Sequence, residues 1–330
     1  MEKINLYFNE EAHSYKDDRG FVYTSATTVI GKYEHEFDSK TMAKRCSTSR
    51  NSRYYGMAVP HILKLWKDMN TTALNKGNRI HNYLEDAVKK ASGYKIIDGK
   101  YINDKIYTVN NVEEALGLNE HVGELDLDFF VEHGIADKYP RIYKLISIYV
   151  SMGYRIFSEI GIFDPELLIS GLIDILFINF NERTFMILDW KTNSQKIIPF
   201  DDERYKWISG YFKKDKITGQ VTNEFVKTNT FLKHPLTAFQ QSTFVIYSLQ
   251  LSIYTRLVEK LGFTNKGITL AHIREGILYE EGDEEVKRIP ELLGKDRTDL
   301  IQMNYLKDEV DSMLSHHFQT FVGNSQATLL

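Results

Sequence analysis

The stretch LISGLIDILFINFNERTFMILDWK, residues 168–191, decides how this chain folds. Leu168–Phe180 and Thr184–Asp189 are runs of Ile, Leu, Phe and Met, residues that suit a pleated and buried surface. Asn181, Glu182 and Arg183 between them suit a tight turn, so the two runs predict an antiparallel hairpin. A third β-rich run, Tyr154–Phe163, precedes them and extends the hairpin to a meander. Each run of the hairpin carries one acid in apolar company: Asp174 inside Leu172–Leu176, and Asp189 after Phe185–Leu188. A charge buried without a partner is costly, so each acid is expected to have one.

The flanking sequence supplies the other elements. Leu6–Phe8, His13–Tyr15 and Phe21–Tyr23, with a turn at Asp17–Gly20, predict an N-terminal hairpin, and Ser25 is placed to cap a helix. Helical spacing of apolar residues marks 59–69, 72–91 (ended by Gly93), 141–152 and 237–261 (stopped by Gly262). Residues 94–111 read as short strands or loop, and 200–236 as loop with a short helix. Residues 268–273 read as a strand, 276–280 with 285–289 as a hairpin, and 299–316 as a closing helix. The pattern is that of an α/β protein. It divides into an N-terminal hairpin and basic helical region over 1–75, a core over 76–320 with an acidic insertion at about 94–140, and a tail over 321–330.

Composition narrows the class. The chain has 330 residues, 42% hydrophobic and 26% charged, as an ordinary globular protein has. Its one cysteine, Cys46, excludes an internal disulfide, a four-cysteine zinc site and an iron–sulfur cluster. No apolar run reaches 18 residues and the first 20 carry no secretory pattern, so no membrane association and a cytoplasmic location are expected. The net charge of −4 hides opposite segments. Residues 40–67 hold Lys40, Lys44, Arg45, Arg50, Arg53, Lys64 and Lys67 and no acid; residues 118–137 hold six acids and no Lys or Arg. The first segment is a solvated helical face or a phosphate-contacting surface. The second is a solvated insertion, a partner surface or a DNA mimic.

The chemistry centres on three carefully spaced groups. Alternate residues of a strand share a face, so Asp189 and Lys191 point the same way. Pairing of the two runs brings Asp174 opposite or diagonal to Asp189, about 5–8 Å away. Two carboxylates that close need a cation; a divalent metal with oxygen ligands, Mg²⁺ first, supplies it. Lys191 can then orient or deprotonate a water and stabilise charge on a phosphate. The plain alternative is a structural Asp–Lys ion pair on an exposed strand. His81 and Glu85, four apart on a helix, are metal-ligand types or a hydrogen-bonded surface pair. Glu159 is a lone acid in an apolar strand or an exposed edge position. Gln250 and Tyr254 share a helix face and can hydrogen-bond a phosphate or the carboxylates, although such pairs also arise by chance.

As an ordered set, Gly77-x-x-x-His81-x-x-x-Glu85, the Glu159 strand, Gly171-x-x-Asp174, Asp189-Trp190-Lys191 and Gln250-x-x-x-Tyr254 resemble the PD-(D/E)xK nuclease superfamily, in its RecB-like exonuclease branch. The resemblance covers residues 76–260, and the N-terminus is similar to that of phage-encoded members. It implies a restriction-endonuclease-like core: a central mixed sheet, its meander carrying the metal site, flanked by helices. It implies one or two Mg²⁺ or Mn²⁺ ions held by Asp174, Asp189, His81 and the backbone carbonyl of Trp190, with Lys191 catalytic. Gln250 and Tyr254 match the substrate-positioning motif, and Glu85 and Glu159 match auxiliary acids. The implied reaction is exonucleolytic hydrolysis of DNA phosphodiesters, leaving a 5′-phosphate and a 3′-hydroxyl, in phage DNA replication, recombination or repair. Lys44, Arg45, Arg50 and Arg53, with Tyr54, Tyr55 and Trp66, are the candidate contacts to single strands or DNA ends. No Walker motif occurs, so a helicase would be a separate partner. The alternatives are a structure-specific or single-strand endonuclease of the same fold, or a non-catalytic DNA-binding or assembly factor.

Overall fold

The computed structural model describes residues 4–9, 12, 14–69, 71, 95–97, 100–102, 107–120, 122–192, 197–198, 203–214, 221–273 and 298–322. The expected helix over 72–91, with His81 and Glu85, and the expected hairpin within 276–289 lie outside these residues. The strands are β1 (Leu6–Asn9), β2 (Ser14–Asp17), β3 (Val22–Ser25), β4 (Lys95–Ile97), β5 (Lys100–Ile102), β6 (Glu124–Leu125) and β7 (Arg155–Asp164). They continue with β8 (Ile169–Asn179), β9 (Thr184–Lys191), β10 (Gly210–Lys214), β11 (Val221–Lys227), β12 (Thr264–Ile273) and β13 (Thr298–Gln302). The helices are α1 (Ala26–Gly31), α2 (Ser39–Thr48), α3 (59–69), α4 (Val109–Gly117), α5 (Leu127–Glu132), α6 (Ile135–Lys138), α7 (Pro140–Ser151), α8 (Thr243–Glu259) and α9 (Lys307–His317).

The chain forms two compact units, each discontinuous in sequence. One comprises Met1–Lys32, Tyr83–Ser194 and Ile246–Leu330; the other comprises Tyr33–Asn82 and Gln195–Val245. The larger unit holds an open, mixed sheet of nine strands flanked by helices, in the order β1-β2-β3-β8-β9-β12-β13, with β7 on β8 and β6 on β7. Strands β7, β8 and β9 are the predicted antiparallel meander, and β12 runs parallel to β9. Successive residues of β8 face opposite sides, yet Ile175, Leu176, Phe177 and Ile178 are all fully buried. Both faces are therefore covered at this strand, which explains a run of apolar residues where a one-sided sheet would alternate.

Strand β8 changes partner along one edge. There it pairs in parallel with β3 at Ile169 and Ser170, and antiparallel with β9 from Ile175 to Asn179. Residues 171–174, between these pairings, have no ladder partner on that edge among the described residues, while β7 continues along the other. The backbone is thus parted at Asp174.

Two sequence expectations are corrected. Residues 299–302 belong to β13 rather than to the closing helix, because Ala271↔Leu300 and Leu270↔Ile301 extend the sheet past β12. Pairing with an existing edge outweighs local helical spacing, and α9 starts only at Lys307, with Asp308 and Glu309 favourably placed in its first turn. The span 200–236, expected as loop with a short helix, has a 3-10 turn at Glu203–Tyr205 and also contains the β10–β11 hairpin. Phe212 and Phe225 pair across it with ring centroids 5.2 Å apart, and Lys213 pairs with Glu224. Charges on both strands mask the alternation.

The N-terminal turn yields a pH-dependent contribution to stability. Asp17 is buried and accepts from the Arg19 guanidinium at 2.7 and 2.9 Å, from Tyr23 Oη at 3.0 Å and from the Phe21 amide at 2.9 Å. Burial raises its carboxyl pKa, but these donors outweigh burial and hold it below the ordinary value. A depressed acid contributes stability above its unfolded pKa of about 3.9, and the contribution is lost as pH falls through the lower folded value. In Asp17→Asn, unfolding midpoints in urea should lose this part of their decline below about pH 4. An unchanged acid limb would refute the assignment.

Candidate functional site

Asp189 and Lys191 end β9, and Asp174 lies where the edge of β8 is parted. The last rung is Ile175↔Leu188; one step further stand Asp174 and Asp189. There a side chain takes over from the ladder: the Trp190 amide donates to Asp174 Oδ2 at 3.1 Å. The Lys191 ammonium lies 2.6 Å from Asp189 Oδ2, with the Asp189 side chain 3% and the Lys191 side chain 20% exposed. Burial lowers the Lys191 pKa, but the carboxylates of Asp189 and Asp174 outweigh it and hold the ammonium above its ordinary value. The alternative of an exposed Asp–Lys pair does not describe this arrangement, since both groups are largely withdrawn from water.

Helix α8 adds the second layer. Gln250 Nε2 donates to Tyr254 Oη at 3.0 Å, and both side chains are buried. Burial drives the Tyr254 phenol above its ordinary pKa; Gln250 and Lys191 work against this, while Asp189 and Asp174 add to it. The Tyr254 hydroxyl therefore lies within electrostatic reach of all three charged groups. Its ring is seated on Gly171, where an added Cβ would stand 2.3 Å from Tyr254 Cε1. Gly171 in the Gly-x-x-Asp spacing thus serves as space for the tyrosine.

The structure brings together Asp174, Asp189, Trp190, Lys191, Gln250 and Tyr254. Glu159 stands on β7 between the rungs Ser158↔Ile175 and Ile160↔Ile173, level with Asp174. It is buried, so the exposed-edge alternative does not hold, and its φ of 53° is a left-handed conformation that a non-glycine residue adopts at a cost. Tyr247 escaped the sequence reading: its ring lies 5.4 Å from the Lys191 ammonium, a cation–π contact. It stands three residues before Gln250 on α8, and that spacing was the available signal. His272, opposite Lys191 in the β9–β12 register and fully buried, was also missed. Of the candidate DNA contacts, Lys44, Arg45, Arg50 and Arg53 are exposed. Tyr54, expected as a stacking group, is instead buried against Trp66 with centroids 5.8 Å apart.

Asp174 and Asp189 are hard oxygen donors, the class Mg²⁺ and Mn²⁺ take. Among the described residues no three His, Cys, Asp or Glu side chains form a metal-holding group, and His81 lies outside those residues. No helix among the described residues is long and apolar enough to cross a membrane. Comparison with protein-family models, curated proteins and solved structures finds no match to this chain.

Proposed function

We propose that the protein is a metal-dependent deoxyribonuclease of the RecB-like PD-(D/E)xK type, acting as an exonuclease on DNA. One observation carries this reading: two carboxylates and an ammonium meet at the parted edge of β8, with Gln250 and Tyr254 of α8 set against them. A structural ion pair needs one acid and one base; the second acid and the paired amide and hydroxyl are what phosphodiester hydrolysis adds. A Mg²⁺ or Mn²⁺ ion held by Asp174 and Asp189, with the Trp190 carbonyl, would polarise the scissile phosphate. Lys191, oriented by Asp189 and the Tyr247 ring, donates to the attacking water or to a phosphate oxygen and offsets charge in the transition state. Gln250 and Tyr254 present an amide and a hydroxyl toward the same charges and help to orient the substrate.

The test is direct. Purified protein should degrade 5′- or 3′-labelled linear DNA with Mg²⁺ or Mn²⁺ and leave it intact in EDTA. Closed circular DNA should survive; its cleavage would replace the exonuclease reading by an endonuclease. No degradation of any DNA under any metal condition would overturn the enzyme reading and leave a binding factor.

A further inference from the structure

We propose that the smaller unit is a single-strand-holding surface, in which the exposed cations of residues 40–67 grip the phosphates and Phe37 and Tyr55 stack on the bases. The observation is how charge divides between the units. The smaller unit holds 17 Lys and Arg against nine Asp and Glu, the larger 24 against 36. A chain of net charge −4 is therefore a basic unit joined to an acidic one. Most of the smaller unit's surplus lies in residues 40–67, and the fold joins Gln195–Val245, with eight Lys and Arg against five Asp and Glu, to that segment.

Within the smaller unit the cations rest on a firm base. Ala43 of α2, Tyr54 and Ile62 of α3 form one buried cluster, with Cys46, Val59, Leu63 and Trp66 packed on it. The intervening turn is tied down by Ser47 Oγ donating to the Met57 carbonyl at 2.6 Å and the Gly56 amide donating to the Ser47 carbonyl at 2.9 Å. With the apolar side used inward, all seven cations of residues 40–67 are exposed. Among the described residues, Lys44, Arg45, Arg50 and Arg53 form no ion pair with a carboxylate. Exposed cations without carboxylate partners, clustered in one short stretch of sequence, favour a polyanion, whose counterions they release.

Two rings identify which polyanion. Phe37 is 67% and Tyr55 53% exposed, in the same unit as these cations. Phe37 is backed by Trp66 at 5.8 Å, so it offers its outer side to a partner. Exposed rings and exposed cations carried by one unit match unstacked bases joined by phosphates. A duplex keeps its bases stacked, and an acidic peptide brings no flat ring to stack. The surface rests on the nuclease reading for its role in catalysis, but binding is measurable without hydrolysis.

The experiment is fluorescence anisotropy of the full chain with labelled oligo(dT) of about 20 nucleotides in EDTA, across a salt series. Lys44→Ala/Arg45→Ala should weaken binding about tenfold at low salt and reduce the slope of log K against log salt by about 1.4. Phe37→Ala/Tyr55→Ala should weaken it about tenfold with the slope unchanged. Lys16→Ala/Lys266→Ala, which removes two exposed cations of the larger unit, should bind as wild type does. Competition by oligo(rU) reports the preferred sugar, and displacement by either single strand supports the surface. Wild-type affinity in both surface variants overturns it. So does displacement by duplex, or by polyglutamate, as effective as that by oligo(dT). Hydrolysis is scored separately. An active wild type whose surface variants bind normally refutes the surface alone; an inactive wild type whose variants lose binding refutes the nuclease reading alone.

Discussion

Asp189→Asn is expected to lower metal-dependent DNA hydrolysis about a thousandfold while the protein stays folded, because metal stabilisation of the transition state is worth several kcal/mol. The substitution keeps the shape of the side chain and removes its charge. That charge lies 2.6 Å from the Lys191 ammonium, and under the proposed function it is one of the two carboxylates that would hold a divalent ion. Removing one partner of a buried pair destabilises by about 3–5 kcal/mol when the remaining charge is uncompensated. Here Asp174 remains nearby and the Lys191 side chain is 20% exposed, so the loss in urea unfolding should lie below that range. The two readouts therefore separate: a large fall in rate with a modest fall in stability. Hydrolysis at the wild-type rate would remove Asp189 from the mechanism.

Gly171→Ala is expected to be the most damaging single-methyl substitution near the site. The new Cβ would lie 2.3 Å from Tyr254 Cε1 and 3.0 Å from Cδ1 and Cζ. The ring is rigid, buried and bonded to Gln250, so moving it disturbs its packing and that hydrogen bond. Overpacking of this kind costs about 1–3 kcal/mol. Displacing Tyr254 also moves its hydroxyl relative to Asp174, Asp189 and Lys191, so hydrolysis should fall as well. A double-mutant cycle isolates the cause. In the Tyr254→Ala background the ring is gone, and Gly171→Ala should then cost little. If Gly171→Ala is equally damaging with and without the ring, the steric account is wrong.

Different parts of this architecture were legible to different degrees. The meander of β7, β8 and β9 was legible because its residues are locally consistent: long β-branched and aromatic runs joined by a polar three-residue turn. The Ser25 cap was legible for the same reason, and its Oγ accepts from the Thr28 amide at 3.2 Å. Strand β13 was not, because Leu300 and Ile301 fit a helix as well as a strand until β12 offers an edge. Tyr54 looked available for stacking, but nothing in the sequence separates an inward ring from an outward one in a turn. Packing against Ile62 and Trp66 settles it, and leaves Phe37 and Tyr55 outside.

The sequence by itself determined the order of the chemical groups and their local spacing: Asp189 and Lys191 on one strand face, Gln250 and Tyr254 on one helix face. Those relations follow from backbone periods of two and 3.6 residues, which need no tertiary contact. Only the tertiary structure decided that β8 exchanges β3 for β9 beside Asp174, that Tyr254 occupies the space above Gly171, and that basic and acidic charge separate into two units. Each of these joins residues far apart in the chain, and such contacts are chosen by burial and pairing of whole elements rather than by any local preference.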